Sequence, residues 1–189
     1  MLQDHQKPLD AIHRLVNKGV LIPLRKGLYL IAHHESVRSG GIPYFAIANL
    51  MNGPSYVSLQ SALSYYQLIP EAVFTTTSVT LKRNVAFDTP IGSFTFVHLH
   101  DRLFPLGVQT LEVHGYPCRI ASPEKALCDL LSRLPPLRDL ECLERELLES
   151  LRIEPEDLHR LEPSQLAFLA SAYHHRNPSL LAQYCAKCA

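Results

Sequence analysis

Apolar positions recur at helical spacing in PLDAIHRLVNK, residues 8–18, where Leu9, Ile12, Leu15 and Val16 share one side. Pro8 suits a first helical turn and Gly19 a stop. VLIPLR and LYLIA then read as two strands joined through Lys26-Gly27, where glycine permits a positive φ. A short helix running into a two-stranded hairpin with a basic tip is the second half of a winged helix.

SVRSGG, residues 36–41, reads as a linker. IPYFAIANLMNGP follows as a helix closed by Asn52-Gly53-Pro54, YV as a short strand, and SLQSALSYYQL as a helix capped by Ser58. Residues 73–120 change character. VFTTTSVTL, NVAFDTPIGSFTFVHL and LEVHGYPCRI are rich in Val, Ile, Thr and Phe and are broken by Pro and Gly, which predicts four to six strands. In IASPEKALCDLLSRL, Ser122 is placed as an N-cap, Pro123 at the first helical position and Glu124 in the first turn. The remainder is helical, with breaks at prolines 135–136, 155, 163 and 178. The expected fold is α+β. A partial winged-helix (helix plus wing hairpin) over 1–35 is followed by a mixed or antiparallel sheet domain over 42–134 and a helical C-terminal tail over 135–189.

At 189 residues the chain is long enough for one large domain, or a small module with a medium one. No apolar run approaches the ~18 residues that a membrane span needs, and MLQDHQKPLD has no apolar signal core. A cytoplasmic protein is expected. Five scattered cysteines do not form a disulfide framework. Net charge is zero, but residues 1–38 carry six cations against three anions, residues 39–125 five of each, and residues 126–189 seven against ten. The basic excess is local, which suits an anion-binding module on a neutral body with an acidic tail.

On a helix, Arg14 and Lys18 are four residues apart and share a face flanked by His13 and Asn17. With Arg25 and Lys26 beside Gly27 on the hairpin tip, the module offers four cations to one stretch of duplex. Lys and Arg neutralise phosphates and release counterions, and a helix in the major groove reads base edges. The plainer alternative is a solvated amphipathic helix with a charged turn. Lys82-Arg83 could contact phosphate or a partner, or be a solvated strand end.

Other constellations point more weakly to chemistry. His98 and His100 share a strand face, and Cys185-x-x-Cys188 follows His174-His175, but neither completes a ligand set. Asp88, Asp101, Glu112 and Glu124 are dispersed. Ser58, Ser61 and Ser64 lack a GxSxG elbow and are read as capping and packing groups. Gly-rich phosphate loops are absent. No catalytic residue, metal or cofactor is expected. In the tail, Leu140, Leu143, Leu147 and Leu151 form a stripe that belongs to a core or to a dimer seam.

Residues 8–31 resemble the recognition helix and wing of the AbiEi-type antitoxin family, the transcriptional-regulator half of type IV toxin–antitoxin systems. PSYVSLQSALSYYQLIPE (54–71), RIASPEKALCDLL (119–131) and the TTTSVTLKRNVAFDTPIGSFTF block between them resemble the antitoxin domain of the same family. The resemblance covers roughly residues 8–135. It implies a non-enzymatic repressor that binds double-stranded DNA of its own promoter region and counters a nucleotidyltransferase-like toxin. A homodimer is also expected, and no membrane association. A winged helix uses two more helices before the recognition helix, and only residues 1–7 precede it here, so the module is read as incomplete. The alternative is a protein–protein interaction module without autonomous DNA binding.

Overall fold

The computed structural model describes residues 8–32 and 41–188. Its first element is helix α1 (Pro8–Asn17), followed by the hairpin strands β1 (Leu21–Arg25) and β2 (Leu28–Ile31). Helix α2 (Tyr44–Met51), strand β3 (Ser55–Val57) and helix α3 (Leu59–Tyr65) lead into β4 (Thr75–Thr80), β5 (Val85–Thr89), β6 (Gly92–His98), β7 (Val108–Val113) and β8 (Tyr116–Ala121). The helical remainder is α4 (Pro123–Leu131), α5 (Leu140–Arg145) continued by a π-helical turn (Glu146–Ser150), α6 (Pro155–Leu158), α7 (Pro163–Tyr173) and α8 (Arg176–Cys188).

The class is α+β, with a two-stranded antiparallel hairpin and a six-stranded mixed sheet in the order β5-β6-β4-β3-β8-β7. β3 pairs antiparallel with β4 and parallel with β8, and β4 pairs parallel with β6. The short strand predicted at Tyr56-Val57 is thus the centre of the sheet, and all three residues of β3 are buried.

Register assigns the faces, because directly opposed residues point to the same side of a sheet. Ser55, Val57, Ser78 and Phe96 lie on one face. α2 covers it: Ser55 Oγ donates to the Ala48 carbonyl (3.4 Å), and the Tyr44 and Phe94 rings are 6.3 Å apart. The β1–β2 hairpin shares this core through Leu24, which is 6% exposed, and β1 lies against β5. Tyr56 points to the opposite face, where α4 and the C-terminal helices pack.

Several expectations change. The apolar side of α1 is only partly covered: Leu9 is 66% exposed and Leu15 39%, while Ile12 and Val16 are half-buried. Among the described residues, α1 packs chiefly on β1, so no second layer covers that stripe. Ser58 precedes α3, but its hydroxyl donates to Asp129 and makes no cap bond. Ser61 ties α3 to β4, donating to the Thr75 carbonyl (3.1 Å) and accepting from the Thr77 N–H (2.8 Å). Pro178 does not break a helix; it lies in the first turn of α8, and the break is at His174, which adopts a left-handed conformation. Leu143 and Leu147 of the tail's leucine stripe are fully buried in the common core, and Leu140 and Leu151 pack against it half-buried. Among the described residues no helix is long and apolar enough to cross a membrane.

Candidate nucleic-acid interface

α1 ends by a tight closure. Gly19 N–H donates to the Val16 carbonyl (2.9 Å) and Val20 N–H to the Leu15 carbonyl (2.9 Å), with Gly19 at φ +67°. Such a left-handed position after the last turn satisfies helix carbonyls and turns the chain back. The chain therefore enters β1 immediately beside the helix end. Ala32 N–H then donates to the Val20 carbonyl (2.9 Å), closing the hairpin onto the same junction.

His13, Arg14 and Asn17 are exposed on α1, and Lys18, expected on the helix, is exposed in the turn that follows it. Arg25, Lys26 and Gly27 are exposed at the hairpin tip, where Gly27 adopts φ +79°. Neighbouring Leu24 is buried, so the tip is held by an apolar anchor one residue away from its first cation. Among the described residues, no carboxylate lies in ion-pair range of Lys18, Arg25 or Lys26. Lys82 and Arg83 are exposed on the bend that leads into β5, the strand against which β1 lies. The fold therefore puts the helix, the wing and the 82–83 bend on connected elements. It gives each cation a solvent-facing position and no competing counter-charge at the wing.

His98 and His100 are exposed, and His98 N–H donates to Asn84 Oδ1 (2.7 Å). His175 Nδ1 accepts from the Asn177 N–H (3.2 Å), and Cys185 is buried in α8. Among the described residues no group of three or more His, Cys, Asp or Glu is placed to hold a metal ion.

Sequence reasoning missed a buried polar centre on the other face. Lys125 and Asp129 are one turn apart on α4, with Lys125 Nζ 3.3 Å from Asp129 Oδ1, and both are sealed from solvent. Lys125 Nζ also donates to the Leu103 carbonyl (2.9 Å) and to the Tyr173 hydroxyl (2.6 Å). Tyr173 in turn donates to Asp129 Oδ1, while Tyr56 (3.0 Å) and Ser58 (2.7 Å) donate to Asp129 Oδ2. Three ammonium hydrogens and both carboxylate oxygens are thus matched, as burial of an ion pair demands. Burial lowers the Lys125 pKa, with the Asp129 charge opposing. Burial and the Asp129 carboxylate raise the hydroxyls of Tyr56 and Tyr173. Burial likewise pushes the Cys128 thiol up.

These residue types could serve a catalyst, but here they are consumed by one another away from water. Their effect is to tie β3, α4, α7 and the loop at Leu103 into one body. The one local signal was the spacing of Lys125 and Asp129, opposite charges four residues apart on a helix that also carries Glu124, and the same spacing suits a surface pair. No family model and no curated protein matches the chain.

Proposed function

We propose that the protein is a DNA-binding transcriptional regulator of the antitoxin type. The observation that carries the reading is the α1–wing unit: His13, Arg14 and Asn17 exposed on a helix and Lys18 in the turn after it, with Arg25 and Lys26 exposed on a hairpin tip anchored by Leu24. In such a unit the helix reads base edges and the wing lies along phosphate. Lys82 and Arg83 extend the phosphate contact. The resemblance of residues 54–71 and 119–131 to the AbiEi-type antitoxins takes the proposal further. The chain represses its own operon and counters a nucleotidyltransferase-like toxin, with no catalytic role of its own. The body supplies the rigid platform, because the stretches 54–71 and 119–131 meet at Asp129 in its interior.

The test is fluorescence anisotropy of the chain with duplex from its own upstream region, beside a scrambled duplex, at two salt concentrations. Binding that is salt-dependent and prefers the upstream sequence supports the regulator; no binding at low salt overturns it. A second reading has one observation in its favour. The open apolar stripe of α1, with Leu9 and Leu15 exposed, fits a protein partner. Failure to bind DNA would move the function to that surface.

A further inference from the structure

The two long edges of the six-stranded sheet differ. β5 has the hairpin strand β1 against it. β7, at the other edge, makes its backbone hydrogen bonds with β8 alone among the described residues. Its pairing with β8 runs without a bulge from Val108↔Ala121 to Val113↔Tyr116. Its sequence, VQTLEV, has no proline and no lysine, the residues that usually blunt an open edge against further pairing. Gln109, Thr110 and Glu112 are exposed.

We infer that β7 is a homodimer edge: it pairs antiparallel with β7 of a second copy, joining the two six-stranded sheets into one. A two-fold axis that makes a continuous sheet is perpendicular to it. Each residue then keeps its face, and opposed residues must both be odd-numbered or both even-numbered. Two central registers satisfy this. One is centred on Thr110 and sets Val108 against the partner's Glu112, an apolar side chain against a charge. The other is centred on Leu111. It sets Leu111 against the partner's Leu111, Gln109 against Val113 and Thr110 against Glu112. The second register opposes no like charges and gives each Glu112 carboxylate a hydroxyl donor, so it is the one assigned. Leu111 shares its face with buried Cys118, so the central contact continues the apolar layer beneath α2. The interface is short, and the dimer is accordingly weak and concentration-dependent. This inference stands independently of DNA binding. If DNA is bound, the same axis presents two α1–wing units to a two-fold symmetric site.

Sedimentation of the full chain over about 5 to 500 μM tests it, well around the weak-affinity range. The wild type is expected to pass from monomer to dimer. Thr110→Asp puts like charges opposite Glu112 twice per dimer and is expected to raise the dissociation constant about tenfold or more. Thr110→Lys pairs with Glu112 and is expected to hold or tighten the dimer. Both changes are at an exposed position, and thermal melts of the variants check that the monomer is intact. If Thr110→Asp alone perturbs folding, the double variant Thr110→Asp, Glu112→Lys decides, because the exchanged charges restore pairing in this register. A wild type that stays monomeric throughout overturns the inference. So does a dimer indifferent to Thr110→Asp, equal weakening by Thr110→Asp and Thr110→Lys, or a double variant that does not dimerise.

Discussion

Ser58 Oγ donates to Asp129 Oδ2 over 2.7 Å across a sequence separation of 71 residues, and both side chains are buried. This bond joins the residue after β3 to the last turn of α4. With Tyr56 and Tyr173 on the same carboxylate, it makes Asp129 the point where the sheet and the C-terminal helices meet. Asp129→Ala leaves Lys125 without its counter-charge and three hydroxyls without their acceptor. The expected loss is about 3–5 kcal/mol. Lys125→Met leaves the carboxylate with three hydroxyl donors and is expected to cost less, about 1–3 kcal/mol. Urea midpoints at constant m measure both, and a reversed order would show that the hydroxyls do not carry the carboxylate.

The same centre joins the C-terminal helices to the sheet. A chain ending near residue 135 loses Tyr173 from the ion pair and Leu143 and Leu147 from the core. It also loses Asn177, whose amide donates to the carbonyls of Leu131 and Pro135 (2.9 and 3.0 Å) and accepts from Leu137 N–H (2.7 Å). The truncated chain is expected to lose cooperative thermal unfolding in circular dichroism. A sharp transition near the wild-type midpoint would make residues 135–188 a separate unit.

How far these relationships were legible in the sequence depends on their range. Ser122, Pro123 and Glu124 announced the start of α4 because the cap bond to Lys125 N–H spans three residues. Lys26-Gly27 announced the hairpin for the same local reason. Lys125 could not be told from a surface cation, because its partners Leu103 and Tyr173 are 22 and 48 residues away. Ser58 sits where a cap residue belongs, yet a buried carboxylate claims its hydroxyl. The period of the apolar positions in 8–17 matches helix α1. Period alone does not say whether another layer covers the stripe, and Leu9 lies in the open.

Alkaline stability follows from the tyrosines. Tyr66 is pushed from 10.0 up to about 12, first by burial and then by Tyr65 and Glu124, and its hydroxyl donates to the Ala121 carbonyl (3.0 Å). Between pH 10 and about 12 the folded chain keeps a proton that the unfolded chain has lost, so stability falls as pH rises through that window. Tyr56 and Tyr173, raised in the same direction, steepen the fall. Lys125, lowered from 10.5, acts in the opposite sense on the acid side of that value. Tyr66→Phe is expected to flatten the decline in urea stability between pH 10 and 12. An unchanged slope would remove Tyr66 from the account.

Gly107 and Gly27 both have positive φ, +63° and +79°, but their surroundings differ. A Cβ at Gly107 would lie 2.9 Å from Lys125 Cβ, whereas nothing lies within 4 Å of one at Gly27. Gly27→Ala meets only backbone strain, about 1–2 kcal/mol. Gly107→Ala adds a collision with the stem of a buried lysine. It is expected to cost more and to lower the melting temperature further. Equal melting temperatures would mean that α4 yields without loss.

The wing makes a prediction that separates phosphate contact from base reading. Each phosphate neutralised by Lys or Arg contributes about 0.9 to the slope of log affinity against log salt. Arg25→Ala with Lys26→Ala removes two exposed tip cations while leaving the Leu24 anchor, so the slope is expected to fall by about two, equally on upstream and scrambled duplex. Lys82→Ala with Arg83→Ala is expected to lower it again if the bend before β5 follows the same phosphates, and to leave it untouched if it does not. Arg14→Ala lies on the helix and should act differently, weakening the upstream duplex more than the scrambled one. Equal loss on both duplexes would make Arg14 another phosphate contact. An unchanged slope in the tip variant would take the wing off the DNA and leave the hairpin as a second layer over the sheet, held there by Leu24.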